Sequence, residues 1–197
     1  MKGKLIALRR ATGEPAQMSD VALVAACAVG EAGALGALFD RHRATVQRFL
    51  ARLAGVDARS ADDLVQETFL QIYRSASRFG GRSSVRTWVL GIAVNVARHH
   101  TRAESRRRAA TTNLVDLPRP TTTRPDDAAG HRQFVVRLER ALAALSPELR
   151  EVFALCDLEE ISGAEAARAL GLREGTLWWR LSAARKALRV ALEEMSP

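Results

Sequence analysis

The residue types that could do covalent or metal chemistry are few in this chain, and they are poorly placed for it. His99 and His100 adjoin, but no cysteine or carboxylate stands at a spacing that would complete a metal site, so they read as cations near a helix end. Cys27 and Cys156 each sit alone in an apolar run, outside any CxxC or Cys–His pattern, and read as small core residues. There is no glycine-rich phosphate cradle and no nucleophile with a base beside it. A hydrolase built on His99, His100 and nearby acids therefore has little behind it, and the sequence calls for no metal and no cofactor. What the chain does carry is ionic and stacking chemistry. Arg173, Thr176, Trp178, Trp179, Arg180, Ser182, Arg185 and Lys186 fall in one short segment, and from Arg173 to Arg189 five charges are positive and one is negative. Arginine forks onto guanine or holds phosphates, and a threonine near a helix start reaches either phosphate or base.

That basic segment is framed by helix signals. Ser146 can cap a helix with Pro147 in its first turn and Glu148 at its positive end. Ser162 and Glu165 form a capping box for the next helix, and Gly171 supplies its left-handed stop. A turn of about three residues then leads into a helix from near Glu174 to Leu192, with Leu177, Leu181, Ala184 and Leu188 as its apolar stripe. This is a helix-turn-helix, whose last helix is shaped for the major groove. The alternative for its basic face is a solvated surface on an ordinary three-helix bundle. The tandem Trp178-Trp179 has two readings as well. One ring widens the core, or the pair makes apolar contacts with thymine methyls or with another protein.

The first half carries two different features. Asp57, Asp62, Asp63 and Glu67 give its third helix a negative face inside a basic chain. Carboxylates repel DNA, so this face calls for a basic partner; helix N-terminal charge stabilisation covers Asp62 and Asp63 but less well Gln66 and Glu67. On the fourth helix Trp88, Asn95 and His99 recur along one line, flanked by Arg86, Arg98 and Arg102. An aromatic for stacking, an amide for base edges and arginines for phosphates suit single-stranded DNA. The glycine-bearing loop before it, from Ser77 to Ser83, can cup an extruded base. Trp88 also borders the apolar stripe and can simply be packed.

The elements that must position these groups are helical. The 197 residues have a formal charge of +8, are 47% hydrophobic and only 5% aromatic, and are dominated by Ala, Leu and Arg. Such a basic balance suits a polyanionic partner. Residues 1–18 read as a basic tail with neither a secretory signal nor a membrane span. Ser19 or Asp20 caps a first helix to about Val29. A second carries Leu35, Leu38, Phe39, His42, Val46, Phe49, Leu50 and Leu53 and ends at Gly55. Ser60, with Asp63, caps a third bearing Leu64, Val65, Phe69, Ile72 and Tyr73. A fourth starts near Ser83 or Ser84, buries Val85, Val89, Ile92 and Val96, and frays from Arg102 to Arg108. Residues 109–132, rich in Pro and Thr, read as a linker that cannot bury enough surface to hold a fold. From 133 to 194 helices resume. The expected class is all-α: two small helical domains, 19–108 and 133–194, joined by a flexible linker.

The run Asp62-Asp63-Leu64-Val65-Gln66-Glu67-Thr68-Phe69-Leu70 resembles region 2 of the sigma-70 family of bacterial transcription initiation factors. So do Arg78-Phe79-Gly80-Gly81-Arg82-Ser83-Ser84-Val85-Arg86-Thr87-Trp88 and Ile92-Ala93-Val94-Asn95-Val96-Ala97. Leu145 to Phe153, continuing to Ala184-Arg185-Lys186-Ala187-Leu188, resembles region 4. Having only these two regions resembles the extracytoplasmic-function (ECF) group. The resemblance implies a non-catalytic specificity subunit that binds core RNA polymerase, directs it to promoters and helps melt the −10 element. It implies that Asp62, Asp63, Leu64, Gln66 and Glu67 meet core polymerase, through its largest subunit, with the second-largest subunit also a partner. It implies that Arg78, Phe79, Arg82, Ser83, Arg86, Trp88, Asn95 and Arg98 meet −10 DNA, and that the final helix reads −35 DNA through Arg173, Thr176, Trp178, Trp179, Arg180, Ser182, Arg185 and Lys186. The same resemblance implies an anti-sigma partner, a means of holding the protein at a membrane, while the lack of a secretory signal or membrane span leads to the expectation of a cytoplasmic location. Where the family usually has a small aliphatic residue, then often Lys and Ser, before Arg, this chain has Leu177-Trp178-Trp179 before Arg180, which implies an unusual −35 sequence. The competing reading, a stand-alone helix-turn-helix regulator, requires tight binding to a palindromic operator without polymerase.

Overall fold

The computed structural model describes residues 17–54, 58–110 and 129–194, all of whose regular elements are helical. The first half holds α1 (Asp20–Ala28), α2 (Ala32–Ala54), α3 (Ala58–Ser75), a 3-10 turn at Ala76–Arg78, and α4 (Val85–Ala110). The second holds α5 (Ala129–Ala144), α6 (Pro147–Phe153), which runs on through a π-helical turn at Ala154–Leu158, then α7 (Gly163–Leu170) and α8 (Glu174–Glu194). The all-α, two-domain expectation holds. Most of the basic tail, Gly55, Asp57 and most of the linker lie outside the described residues.

The helix starts follow local chemistry. The Ser19 hydroxyl accepts the N–H of Ala22 at 3.3 Å, and Ser84 Oγ accepts that of Thr87 at 3.0 Å, so α4 begins where its cap stands. Gly171, at φ 67°, closes α7 in the left-handed conformation, and the N–H of Leu172 returns to the carbonyl of Ala167 at 2.8 Å. Three local expectations change. The third helix already runs at Ala58, so Ser60 lies inside it rather than capping it; Ala58 and Arg59 are good helix formers and extend the turn backwards. α4 does not fray at Arg102 but continues to Ala110, through a stretch of Ala and Arg braced by a Glu104–Arg107 pair. At Ser146 it is the backbone carbonyl, not the hydroxyl, that serves the helix start: it accepts from the N–H groups of Leu149 and Arg150.

In the first half α2 lies between α1, α3 and α4, and Leu38, Val46, Phe49, Leu50, Val65, Ile72, Val89 and Leu90 are buried there. Asp20 ties α1 to α2 by accepting from Arg41 at 2.7 Å and pairing with His42 at 2.8 Å. In the second half α8 packs on α5, α6 and α7 through Leu177, Leu181, Ala184 and Leu188, the stripe expected of it.

The two halves do not stand apart. One apolar cluster runs through both, joining α4 to α7 and α2 to α6. A tight backbone approach is at Gly91 of α4, where an added Cβ would stand 3.2 Å from the Cβ of Ala169. A larger side chain at that position should therefore part the halves without unsettling α4, because leucine is a better helix former than glycine. Gly91→Leu is expected to leave the circular-dichroism helix signal intact while raising the radius of gyration measured by X-ray scattering; an unchanged radius would mean that the halves meet elsewhere.

Candidate nucleic-acid and protein interfaces

The acidic strip of α3 faces outward. Asp63 and Gln66 are exposed, and Asp62 and Glu67 are half-exposed. Their contacts stay within the first half. Asp62 accepts from Gln47 at 2.9 Å with Arg43 3.7 Å away, and Glu67 accepts from Gln71 at 2.7 Å with Arg74 at 3.9 Å. Ion pairs this exposed are weak and leave the carboxylates free to exchange partners. Leu64 lies beneath the strip, 7% exposed, in the domain's own apolar core. Thr68, buried at the next turn, turns its hydroxyl back to the Leu64 carbonyl at 2.7 Å.

The loop after α3 and the first three turns of α4 form a concave site. Gly81 takes φ 66°, which lets the chain double back so that Phe79 meets Trp88 with ring centroids 5.0 Å apart. The two rings, with Arg78, Arg82, Ser83 and Asn95, line a cavity of about 500 Å³. Trp88 is half-buried, packed against Phe79, and it also lines the cavity. A stacking ring, an exposed amide and exposed guanidinium groups around a base-sized hollow fit an unstacked nucleotide. His99 lies a turn beyond Asn95, and no group of His, Cys, Asp or Glu that could hold a metal occurs among the described residues.

The opposite wall of that cavity comes from the second half: Arg168 and Ala169 of α7 complete it. The remaining two arginines of the site are taken up by carboxylates from the same half. Arg98 forks onto Glu151 through Nε at 2.7 Å and a terminal nitrogen at 2.6 Å, while Arg86 donates to the Glu159 carbonyl at 2.8 Å and to its carboxylate. Both glutamates are 7% exposed in their side chains. The Glu151 hydrogen bonds, working against burial, hold the Arg98 guanidinium above its ordinary basicity. Glu165 also reaches across, sharing one oxygen with Ser162 at 3.1 Å and accepting the Ser84 N–H with the other at 3.3 Å. The capping box is therefore half-formed: Ser162 takes the Glu165 N–H at 3.4 Å, but the Glu165 side chain is turned toward the neighbouring half.

A residue that motif reading passed over completes the junction. Arg150 of α6 donates to the carbonyl of Leu53 at 2.9 Å, and to those of Ala143 at 2.6 Å and Leu145 at 3.0 Å. It thus sits at the C-terminal ends of α2 and α5 together, where carbonyls without intrahelical donors attract a cation. Burial draws its basicity down. The available signals were weak: Glu151 and Glu159 look like surface acids in sequence, and Arg150 like one arginine among many.

On α8 the expected DNA-facing residues divide. Arg173, Thr176, Ser182 and Lys186 are exposed, Arg180 is half-buried, and Trp178 and Trp179 are 51% and 70% exposed. Arg185 is already engaged, forking onto Asp157 at 2.8 and 2.6 Å and bracing α8 against the π-helical turn. Glu148 at the start of α6 lies near enough to Arg180 and Arg98 to feel both; its own backbone N–H and these cations keep its carboxyl below the usual range.

Comparison with known proteins agrees with this arrangement. Residues 38–107 match sigma-70 region 2, and residues 136–188 match sigma-70 region 4. The chain is 36% identical over 172 residues to the probable RNA polymerase sigma-C factor of Mycobacterium bovis, covering 85% of this chain and 88% of that one. It is 34% identical over 177 residues to the ECF RNA polymerase sigma factor SigL of Mycobacterium tuberculosis, covering 89% and 98%. Among solved structures it resembles CnrH, bound there to the cytosolic domain of CnrY, with a TM-score of 0.65 at 29% identity over 90% of this chain and 99% of that one. The fold is shared too with the sigma factor RpoE of Bartonella quintana, in complex with the anti-sigma factor NepR, at a TM-score of 0.66 and 21% identity, over 81% of this chain and 96% of that one. The chain belongs to the sigma-70 family of RNA polymerase sigma factors, in its extracytoplasmic-function group.

Proposed function

We propose that three separate surfaces divide the work of promoter-directed initiation: the α3 acidic strip grips core RNA polymerase, the Phe79–Trp88 cavity takes a −10 nucleotide, and the outer face of α8 meets −35 DNA. As a sigma-70 factor the protein has no reaction of its own; polymerase makes the RNA, and this chain chooses where. The observation that carries the assignment is the segregation of charge. Exposed carboxylates line α3, while arginines surround the cavity and line α8, so one body offers a face that repels DNA and two that attract it. A stand-alone repressor has no use for the first face. As for a sigma-70 factor, the partners are core polymerase and promoter DNA, and the complexes of CnrH with the cytosolic domain of CnrY and of RpoE with the anti-sigma factor NepR support an anti-sigma protein as a third. None of the described helices is long and apolar enough to cross a membrane, and the means we propose for holding the protein at one is an anti-sigma partner.

The cavity reading has a structural consequence. Arg168 and Ala169 of α7 wall the cavity on one side, and Arg86 and Arg98 beside it are engaged by Glu159 and Glu151, so neither guanidinium is available to a phosphate while the halves are docked. For these two arginines to hold a −10 strand the halves must part, and phosphates then replace the two carboxylates, since a planar guanidinium fork donates to either.

Run-off transcription with core polymerase on a library of random promoters tests the function and reports both promoter elements; no start at any defined site would overturn it. Asp63→Arg is expected to abolish co-purification with core polymerase while leaving the circular-dichroism spectrum unchanged, and retained co-purification would remove the acidic strip from the assignment. Replacing Glu151 and Glu159 together by Gln should raise the affinity of the free protein for a −10 single strand on the order of tenfold, since a charge-assisted hydrogen bond contributes about 1.5–3 kcal/mol. Fluorescence anisotropy measures this, and equal affinity in both proteins would show that the carboxylates do not compete with DNA.

A further inference from the structure

The tandem tryptophans of α8 are alike in sequence and unlike in the structure. Trp178 lies on the flank of the helix, and its ring is seated on the first residue of α7. A Cβ added at Gly163 would overlap that ring, with Cη2 only 2.9 Å away. Glycine at this position is therefore what admits the indole. The ring fills the angle between the two helices of the helix-turn-helix while half its surface stays open.

Trp179 is placed differently. At 3.6 residues per turn it lies about 200° around the helix from Leu177, almost opposite the buried stripe. It shares that outermost face with Gly175 one turn before it, Ser182 almost one turn after it and Lys186 two turns after it. It is the most exposed of the large apolar side chains among the described residues, at 70%. Nothing stands within 4 Å of where a Cβ on Gly175 would be, so the helix surface beside the ring is bare and open to close approach. The outermost face of a helix in the major groove is the one that meets base edges. Between Gly175 and Lys186 no carboxylate lies on this face, and Lys186 and the nearby Arg180 supply the charge that draws in DNA.

Resting on the −35 reading above, we infer that the two rings have separate duties: Trp178 is a positioning residue that sets α8 against α7 through Gly163, and Trp179 determines −35 specificity by packing on thymine methyl groups. In the major groove the methyl of thymine is the one apolar mark on a base pair. An indole on the outer face, carrying no charge and no acceptor, discriminates by covering it.

The experiment uses holoenzyme assembled from core polymerase and the full chain, on the promoter that the random library yields. Each −35 thymine is replaced in turn by deoxyuridine, which lacks only the methyl. Initiation by the wild-type protein should fall about fourfold for each methyl covered, the factor expected for exposing one such group. Trp179→Ala should initiate equally on thymine and deoxyuridine. Trp178→Ala should keep the discrimination and lower the thermal midpoint, and adding Gly163→Ala to it should cost nothing more, although Gly163→Ala alone displaces the ring and is destabilising. The inference is overturned by a selected −35 element without thymine, by indifference of the wild-type protein to every methyl, or by discrimination that survives Trp179→Ala. Loss of core association in Trp179→Ala with discrimination intact would make the ring a protein contact instead. A wild-type holoenzyme silent on the whole library would fail before any base is exchanged, and that failure belongs to the promoter-initiation reading on which this inference rests.

Discussion

A carboxylate that is almost wholly removed from water must have a cation within reach, and Glu151 and Glu159 meet that demand only across the boundary between the two halves. Desolvating such a group costs several kcal/mol, and its pairing roughly offsets that cost rather than adding net stability. What the pairs supply is therefore orientation. Two forks from α4 onto α6 and the turn beyond it leave little freedom in how the halves meet. Arg150 works in the reverse sense, carrying a positive charge from the second half to the C-terminal end of α2 in the first. With charges crossing in both directions, the apolar contact between α4 and α7 forms in one register, close enough that a methyl on Gly91 would stand 3.2 Å from the Cβ of Ala169 and would push it back.

On the reading proposed above, the same guanidinium groups would also hold phosphates of the −10 strand. Carboxylate and phosphate both offer paired oxygens to a planar fork, so Arg86 and Arg98 can donate to either partner without changing shape. Pairing between the halves and DNA entry would then draw on one set of residues. The α3 strip is different. Asp62 and Glu67 pair with Arg43, Gln47, Gln71 and Arg74, all within the first half, so docking through α3 does not compete with closure.

How much of this was legible in the sequence depends on range. Signals that act over a few residues were readable: the Ser84 cap, the left-handed Gly171, the Leu177–Leu188 stripe, and the all-helical, two-domain outline. They report the local backbone, and the backbone obeyed them. Boundaries set by mere continuation were not readable, because good helix formers carry α3 back to Ala58 and α4 on to Ala110 with no residue to mark the change. The candidate site was half-readable. Phe79, Trp88 and Asn95 could be placed on one concave surface from loop chemistry and helical spacing. That Arg86 and Arg98 would be occupied by acids 73 and 53 residues away, or that Ala169 would wall the cavity, depends on how two domains dock, and no local pattern encodes it.

The tryptophans show why spacing alone runs out even within one helix. Adjacent residues stand about 100° apart, so with Leu177 inward Trp178 falls on the flank and Trp179 on the outer face. A flank residue can turn toward a neighbouring helix or toward solvent, and the choice belongs to the neighbour. Here the neighbour is glycine at position 163, and its missing side chain gives the Trp178 ring a seat. Trp179 has no such option, because α8 packs chiefly on α5, α6 and α7, all on its other side. The interface between α4 and α7 leaves that outer face of α8 uncovered. On the proposed reading the two DNA-facing surfaces are therefore unequal: the cavity is walled in part by the second half of the chain, and the α8 face is borne on that half.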